Sequence, residues 1–453
     1  MTEPALIRLA RFVAEDPMTP DEATLTILRQ GVIDTLGCIH AGVGTEVAAK
    51  ARQAVRAMGA LGDTPVIGTD MCASRPQAAF LNAVAGHALD FDDWEIPGNT
   101  HPTVVLVPAL LAVADDRTDG MALACAYLAG FEVIARLGEA MNFAHYDAGW
   151  HSTATLGATG AAAACARLLG LTALETANAL SFAISAASGF TCQFGSNAKP
   201  AQAGFAARAG VEAVFLAQAG MTAQAHVLDH PRGQAALMGG LDPDRFEAAF
   251  SKLGRGYALT EHGLVLKPWP SCGYTHRIMS CSIAMRDHVQ HEKIARVDLH
   301  LPDFHAAILP FAQPADRNEA LFSLPFVAAM GLLRGGLTLA DLNAQVWTDP
   351  AVAALIDKVK VHPFKPVRPD QNYCEDDPDR MIVTFLDGTT IERTCDYPLG
   401  APQSPMSEAQ LLAKFEANTG SATEAQAGKA VWAARLRNWP QEQSIRTLMT
   451  RQG

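Results

Sequence analysis

The spacing of apolar residues changes character once along this chain of 453 residues, near residue 265. Before that point apolar side chains recur at helical intervals. One helix is predicted to begin at Thr19-Pro20, with Thr19 as its cap and Glu22 completing a capping box. Residues 157–170 are mostly Gly and Ala, which let helix axes approach closely, so this segment is predicted to lie centrally in a helical bundle.

After residue 265 the pattern alternates as in half-buried strands, first at residues 296–302 and again at 358–362. Residues 381–394 predict a β-hairpin whose two-residue turn is Asp387-Gly388. Helical spacing returns from about residue 407 to residue 451. The second half of the chain is therefore predicted to combine strands and helices.

Together these patterns predict a mainly α fold with an α+β lid. The large all-helical domain is predicted to span 1–265 and to be completed by 400–453, and the smaller α+β domain to span 266–399. Half of the residues are apolar and 18% are charged, which is typical of a soluble globular protein.

The formal net charge of −12 argues against nucleic acid and anionic membrane as partners, because both require a basic surface. The nine cysteines include no C-x-x-C pair, as in a reduced cytosolic protein. The N-terminus lacks a signal-peptide pattern, and the longest apolar run, residues 104–114, is too short to span a bilayer. We therefore expect a cytoplasmic location.

Polar residues inside apolar helical sequence are the candidates for chemistry, because burying them costs free energy unless they are paired or used. Three aspartates follow His87, and Asp90 is predicted to share its helix face, with His101 following in Thr-His-Pro. His151 precedes a helix, where backbone N–H groups favour anions. A solvated helix end and a packing histidine are the alternatives.

Two lysines stand out in the same way. Lys199 lies between a Gly/Ser loop and a predicted helix, although a solvated surface lysine is equally compatible with the sequence. Lys267, Cys272 and His276 lie within ten residues in a proline-rich segment, where Cys272 is either a nucleophile or a core thiol. His226 and His230 are interpreted as part of a solvated loop.

The sequence offers little to a metal or an organic cofactor. His226 and His230 form the one H-x-x-x-H pair, and Pro231 follows at once, so a helix presenting both rings is not expected. A Rossmann fingerprint is also missing. We predict no metal and no cofactor.

The order H-A-L-D-F-D-D, T-H-P, G-W-H, A-K-P and K-P-W-P-S-C-x-x-x-H resembles the MmgE/PrpD family over nearly the whole chain. The resemblance implies a homodimer with a cleft between its two domains and no cofactor. The family's site positions fall on a set of residues in this chain: Asp90, His101, His151, Lys199 and Lys267, with His276 in the last motif.

The resemblance implies a lyase, most simply a dehydratase of a 2-methylcitrate-like di- or tricarboxylate. The alternatives are an epimerase of an iminodisuccinate-like acid, a cis-aconitate-type decarboxylase and a non-catalytic carboxylate-binding protein. Trp94 stands where the decarboxylase has a small hydroxyl residue, and Cys272 stands where the decarboxylase has a histidine. Decarboxylation is therefore less expected of this chain than of an average member of the family. A terpene-type enzyme would need more aromatic residues than the 7% present.

These residues suggest a mechanism. His101 and His151 are predicted as acid and base, because imidazole titrates near neutral pH. Asp90 is predicted to orient one of the histidines. Lys199 and Lys267, with His276, are predicted to bind the carboxylates of the substrate.

Overall fold

The computed structural model describes residues 3–59, 62–420 and 438–441. It confirms the predicted fold class, a mainly α chain with a smaller α+β domain. Of the helical stretch predicted to run from about residue 407 to 451, the part after residue 420 lies outside the described residues, apart from residues 438–441.

The first part of the chain forms helices joined by loops, with a single two-stranded ribbon of β1 (Thr64–Pro65) and β2 (Cys72–Ala73) within the described ranges. The helices are α1 (Ala5–Glu15), α2 (Glu22–Gly42), α3 (Glu46–Ala57), α4 (Arg75–His87), α5 (Pro102–Val113), α6 (Gly120–Met141), α7 (Ala144–Asp147), α8 (Ser152–Leu168), α9 (Ala173–Ala186), α10 (Ala198–Gln218), α11 (Gln234–Leu237), α12 (Pro243–Phe250) and α13 (Ala258–His262).

Helix α8 occupies the centre of this domain and packs against α6 and α10, as its small residues predict. A Cβ at Gly160 would stand 2.3 Å from Ile134, and one at Gly210 would stand 2.4 Å from Ala161. Glycine is therefore required where these helices cross. The predicted cap of α2 is wrong, because Asp21 rather than Thr19 accepts the hydrogen bond from Thr24 N.

Helix α6 is long and apolar enough to cross a membrane by length and composition. It lies in the core instead, with 83% of its most apolar window buried. It also carries the buried ion pair of Glu132 and Arg136, whose Oε1 and Nε atoms lie 2.7 Å apart. These features are those of a core helix in a globular domain.

The smaller domain contains a four-stranded sheet of order β4-β3-β5-β6, in which β3 pairs parallel with β4 and antiparallel with β5. The predicted hairpin is confirmed as β5 and β6, joined through Asp387-Gly388. The helices and strands of the smaller domain are α14 (His276–Met285), β3 (Ile294–Pro302), α15 (Asp303–Ala307), α16 (Arg317–Ala320), α17 (Leu324–Arg334), α18 (Leu339–Asn343), α19 (Pro350–Ile356), β4 (Val359–Phe364), β5 (Asp379–Phe385) and β6 (Thr390–Cys395).

The chain then returns to the helical domain as α20 (Glu408–Thr419), which packs on α2. Lys414 of α20 is buried, pairs with Asp34 and donates a hydrogen bond of 2.7 Å to the carbonyl oxygen of Phe91. Trp94, only a few residues further on, packs in the core of the smaller domain and pairs its backbone with Val265. The segment around residues 90–94 is thus held by both domains.

Candidate active site

A small cavity lies where the segment around Asp90 meets both domains. Its lining combines charged, imidazole, thiol and aromatic groups. The lining residues are Asp90, Trp94, Asn99, His101, Tyr146, His151, Phe194, Lys199, Cys272, Gly273 and Tyr274.

Asp90 is the centre of the charged groups. The Nζ atoms of Lys199 and Lys267 each lie 2.7 Å from Asp90 Oδ1, and Lys267 also donates to the Asp90 carbonyl oxygen at 2.8 Å. The backbone of Asp90 is left-handed, with φ of 47°, a conformation that costs free energy in a non-glycine residue. The hydrogen bonds from Lys199 and Lys267 stabilise Asp90 in this conformation.

Two ammonium groups therefore face one carboxylate. Burial alone would raise the pKa of Asp90, but the charges of Lys199 and Lys267 outweigh it and hold this pKa well below its usual range. Burial would likewise lower the pKa of Lys267, yet the Asp90 charge raises it. The charge of the ionised Asp92 also raises the pKa of Lys267, so the two lysines of this cluster are balanced by two carboxylates. Lys199 is the lysine at the cavity wall, where its ammonium group can bind an anionic ligand.

The shortest contacts between an aspartate and the histidines are made by Asp92, whereas Asp90, the aspartate predicted for this role, has its Oδ1 atom 3.8 Å from His101 Nε2. Helix α4 ends at His87, so Asp90 does not share a helix face with that residue. The Nδ1 atom of His87 instead lies 2.9 Å from both carboxylate oxygens of Asp92. His101 Nδ1 lies 2.8 Å from the Asp93 carbonyl oxygen and 3.2 Å from Asp92 Oδ2.

His151 is held by Gln202 of α10. Its Nδ1 atom lies 2.6 Å from Gln202 Oε1, and Gln202 Nε2 donates to the Phe190 carbonyl oxygen, so Nδ1 of His151 carries the proton. The Nε2 atom is buried and has no hydrogen-bond partner within the described part of the chain. Burial and the nearby Lys199 charge lower the pKa of His151 well below its ordinary value. The ring thus presents a basic nitrogen to the cavity.

The N-termini of three helices meet at this cavity. His101 is the N-cap of α5, His151 is the N-cap of α8, and Lys199 lies in the first turn of α10. The backbone N–H group of His101 donates to Thr153 Oγ1, which ties α5 to α8. Helix N-termini carry partial positive charge, so the backbone adds to the preference for anions.

Three lining groups remain protonated at neutral pH. Burial raises the pKa of the Cys272 thiol to about 11 and the pKa values of the Tyr146 and Tyr274 hydroxyls well above their ordinary value. By contrast, burial lowers the pKa of His101 to about 3, so its ring is neutral at neutral pH. The cavity therefore contains both proton donors and unprotonated imidazole nitrogens.

The structure brings five of the seven predicted site residues to the cavity wall: Asp90, His101, His151, Lys199 and Cys272. Lys267 lies behind Asp90 and does not line the cavity. His276 also lies outside the lining, with Nε2 3.3 Å from the Ser271 carbonyl oxygen. The geometry therefore gives no support to direct substrate contact by these last two residues.

Sequence reasoning missed several residues of the site. Tyr274 belongs to the Lys267 motif, and Gln202 follows Lys199 by three residues, so helical spacing could have indicated it. Tyr146 and Phe194 carry no sequence signal that we can identify. His226 and His230 are both exposed and lie outside the cavity lining.

Four of these side chains, His87, Asp90, Asp92 and His101, could in principle surround a metal ion. Two lysines bind Asp90 Oδ1 and two imidazoles bind Asp92, whereas Asp90 Oδ2 and His87 Nε2 have no hydrogen-bond partner among the described residues. A divalent cation at Asp90 would also lie next to both ammonium groups, which would repel it. The donor set fits an ion-pair network better than a metal site.

The fold and cavity define a two-domain, mainly helical protein with a buried cluster of lysine, histidine, carboxylate and thiol groups. A model of the MmgE/PrpD N-terminal domain matches residues 7–247, and a model of the MmgE/PrpD C-terminal domain matches residues 269–438. The chain belongs to the MmgE/PrpD family.

Similar proteins of known activity are cis-aconitate decarboxylases. The chain is 31% identical to the enzyme of Mus musculus over 85% of this chain and 80% of that protein. It is 30% identical to the enzyme of Homo sapiens, over 85% and 82% respectively. Identity to the enzyme of Aspergillus terreus is 25%, over 87% and 84%.

Proposed function

We propose that this protein is a carboxy-lyase that releases CO2 from a small unsaturated tricarboxylate of the cis-aconitate type. The sequence alone favours a dehydratase. Because the similar proteins are named cis-aconitate decarboxylases, they support decarboxylation over dehydration. The observation that carries the proposal is that one cavity is lined by both the ammonium group of Lys199 and the protonated thiol of Cys272.

The ammonium group of Lys199 and the helix N-termini account for binding. A carboxylate beside Lys199 replaces its hydration shell with a fixed ammonium group in a water-poor site. The substrate charge also favours the imidazolium form of His151, because an opposite charge stabilises a protonated ring. His151 then donates a hydrogen bond to a carboxylate through Nε2.

The chemical step needs an acid. As one carboxylate leaves as CO2, the electron pair of the broken C–C bond forms a new C=C bond, and the former alkene carbon takes up a proton. We assign that proton to the Cys272 thiol. The thiolate that remains is stabilised by Lys199 and Lys267 and regains its proton from solvent.

A product analysis in deuterated water tests this proposal. Purified protein is incubated with cis-aconitate, with 2-methylcitrate and with an iminodisuccinate-type acid, and products are followed by NMR. The proposal expects one CO2 and one deuterium at carbon for each cis-aconitate consumed.

Other outcomes would identify the alternatives. Loss of water from 2-methylcitrate without CO2 would indicate a dehydratase. Deuterium exchange without net product would indicate an epimerase. A tricarboxylate that raises the melting temperature but is never consumed would indicate a binding protein.

A further inference from the structure

Two N–H groups in the cavity wall have no hydrogen-bond partner among the residues that the structure describes. They are Nε1 of Trp94 and Nδ2 of Asn99, in residues that are 5% and 7% exposed. Both residues line the cavity. A buried donor without an acceptor is destabilising, so a pair of them in one cavity indicates an acceptor that arrives with the ligand.

The position of Trp94 is fixed from several sides. Its ring packs edge-on against Tyr274 and Tyr373, with centroids 6.0 and 5.5 Å away. Its Nε1 edge lies against Gly273, where a Cβ would stand only 2.8 Å from the nitrogen. Gly273 itself lines the cavity. The absence of a side chain at Gly273 therefore leaves room for the indole at the cavity wall.

The orientation of the Asn99 amide is also fixed. Asn372 donates from Nδ2 to Asn99 Oδ1 and, at 2.9 Å, to the Ile96 carbonyl oxygen. Tyr274 donates to Asn372 Oδ1 at 2.8 Å, which sets the direction of the Asn372 amide. Because the oxygen of Asn99 is occupied, its NH2 group is the part left for a ligand.

We propose that Trp94 and Asn99 form a second carboxylate subsite, which binds a carboxylate of the substrate that does not react. This inference rests on the proposed function, since it assigns a place to one carboxylate of a polycarboxylate. A carboxylate has no hydrogen to donate and can accept from both N–H groups at once. Bonds to an ionised acceptor are about twice as strong as neutral ones.

Lys199 lines the same cavity, with its Nζ atom 5.0 and 4.9 Å from the ring centroids of Phe194 and Phe322. A polycarboxylate can therefore place one carboxylate at Lys199 and another at Trp94 and Asn99. A monocarboxylate cannot do so.

Calorimetric titration with tricarballylate, a saturated and therefore unreactive tricarboxylate, tests the subsite without turnover. Trp94→Phe keeps the ring and removes the N–H, and Asn99→Asp keeps the shape but replaces the donor with a negative charge. Trp269→Phe, a matched change outside the cavity lining, is the control. Melting temperatures of all variants are recorded, and Trp94→Phe alone suffices if Asn99→Asp does not fold.

We expect Kd for tricarballylate to rise at least tenfold in Trp94→Phe and about a hundredfold in Asn99→Asp, with less than a twofold change in Trp269→Phe. Wild-type affinity in both site variants, or an equal loss in the control, would overturn the subsite. If the wild type releases CO2 and the site variants still bind normally, the subsite alone fails. If the wild type binds tricarballylate with the expected variant effects but consumes no substrate, the proposed function alone fails.

Discussion

Lys267 Nζ donates to Asp90 twice, to the side-chain oxygen at 2.7 Å and to the carbonyl oxygen at 2.8 Å. Lys199 binds the same side-chain oxygen from the cavity wall. The two lysines are therefore not equivalent, although the sequence gives them the same role. Lys267 fixes the strained backbone of Asp90, and Lys199 has access to a ligand.

Substitution of the two lysines should separate binding from stability. Lys199→Met should raise KM at least tenfold, because an ammonium group at the cavity wall is lost. Lys267→Met should lower the free energy of unfolding by about 3 kcal/mol, because a buried ion pair is broken. Steady-state kinetics and urea unfolding measure the two effects. A Lys267→Met variant with unchanged stability and only a raised KM would contradict these roles.

Gln202 is predicted to position His151. Gln202→Leu removes the acceptor for the Nδ1 proton, so the ring loses its fixed orientation. We expect kcat to fall about tenfold with KM nearly unchanged, and the pH profile of kcat to shift. Gln202→Glu keeps an acceptor at the same place and should restore part of kcat. A leucine variant with the wild-type pH profile would remove Gln202 from this role.

Cys272 is predicted to supply the proton. Cys272→Ala should lower kcat by about a hundredfold or more, the usual effect of losing a general acid, while KM changes little. Tyr146→Phe is the matched comparison, because its hydroxyl also stays protonated and lines the cavity. A larger loss of kcat in Tyr146→Phe than in Cys272→Ala would transfer the role to the tyrosine.

His145 offers a test of the buried electrostatics away from the cavity lining. Burial lowers its pKa to about 4, while histidine in an unfolded chain titrates near 6.5. Between these pH values the unfolded chain binds a proton that the folded chain does not, so folding is weakened as pH falls. The wild type should therefore lose stability relative to His145→Gln from pH 6.5 down to pH 4.

This comparison is made by urea unfolding at several pH values, with m-values checked for constancy. Above pH 6.5 the difference in free energy of unfolding between wild type and variant should not depend on pH. A difference that stays constant down to pH 4 would show that His145 titrates normally in the folded protein.

Much of the architecture could be predicted because it depends on periodicity. The small residues of α8 predicted its central place, and the alternating residues with Asp387-Gly388 predicted the hairpin. The motifs around Asp90, His151 and Lys199 indicated residues that do meet at one cavity. Polar groups in apolar sequence were informative because their burial requires partners or use.

The partners themselves could not be predicted. The prediction that His87 and Asp90 share a helix face is wrong, because the helix ends at His87 and the backbone of Asp90 is left-handed. The spacing of apolar residues does not reveal either feature. Asn372, which orients Asn99, lies 273 residues further along the chain. Such contacts depend on how the two domains pack, and the spacing of residues along the sequence does not show which distant residues meet.

The rate of labelled CO2 release from carboxyl-labelled cis-aconitate, compared between the wild type and folded Lys199→Met and His151→Asn variants, tests the central claim most directly. We expect the wild type to release one CO2 per substrate and the His151 variant to release it about a hundredfold more slowly. In the Lys199 variant the release rate should fall strongly at low substrate concentration. No release by the wild type, or release at wild-type rates by both variants, would contradict it.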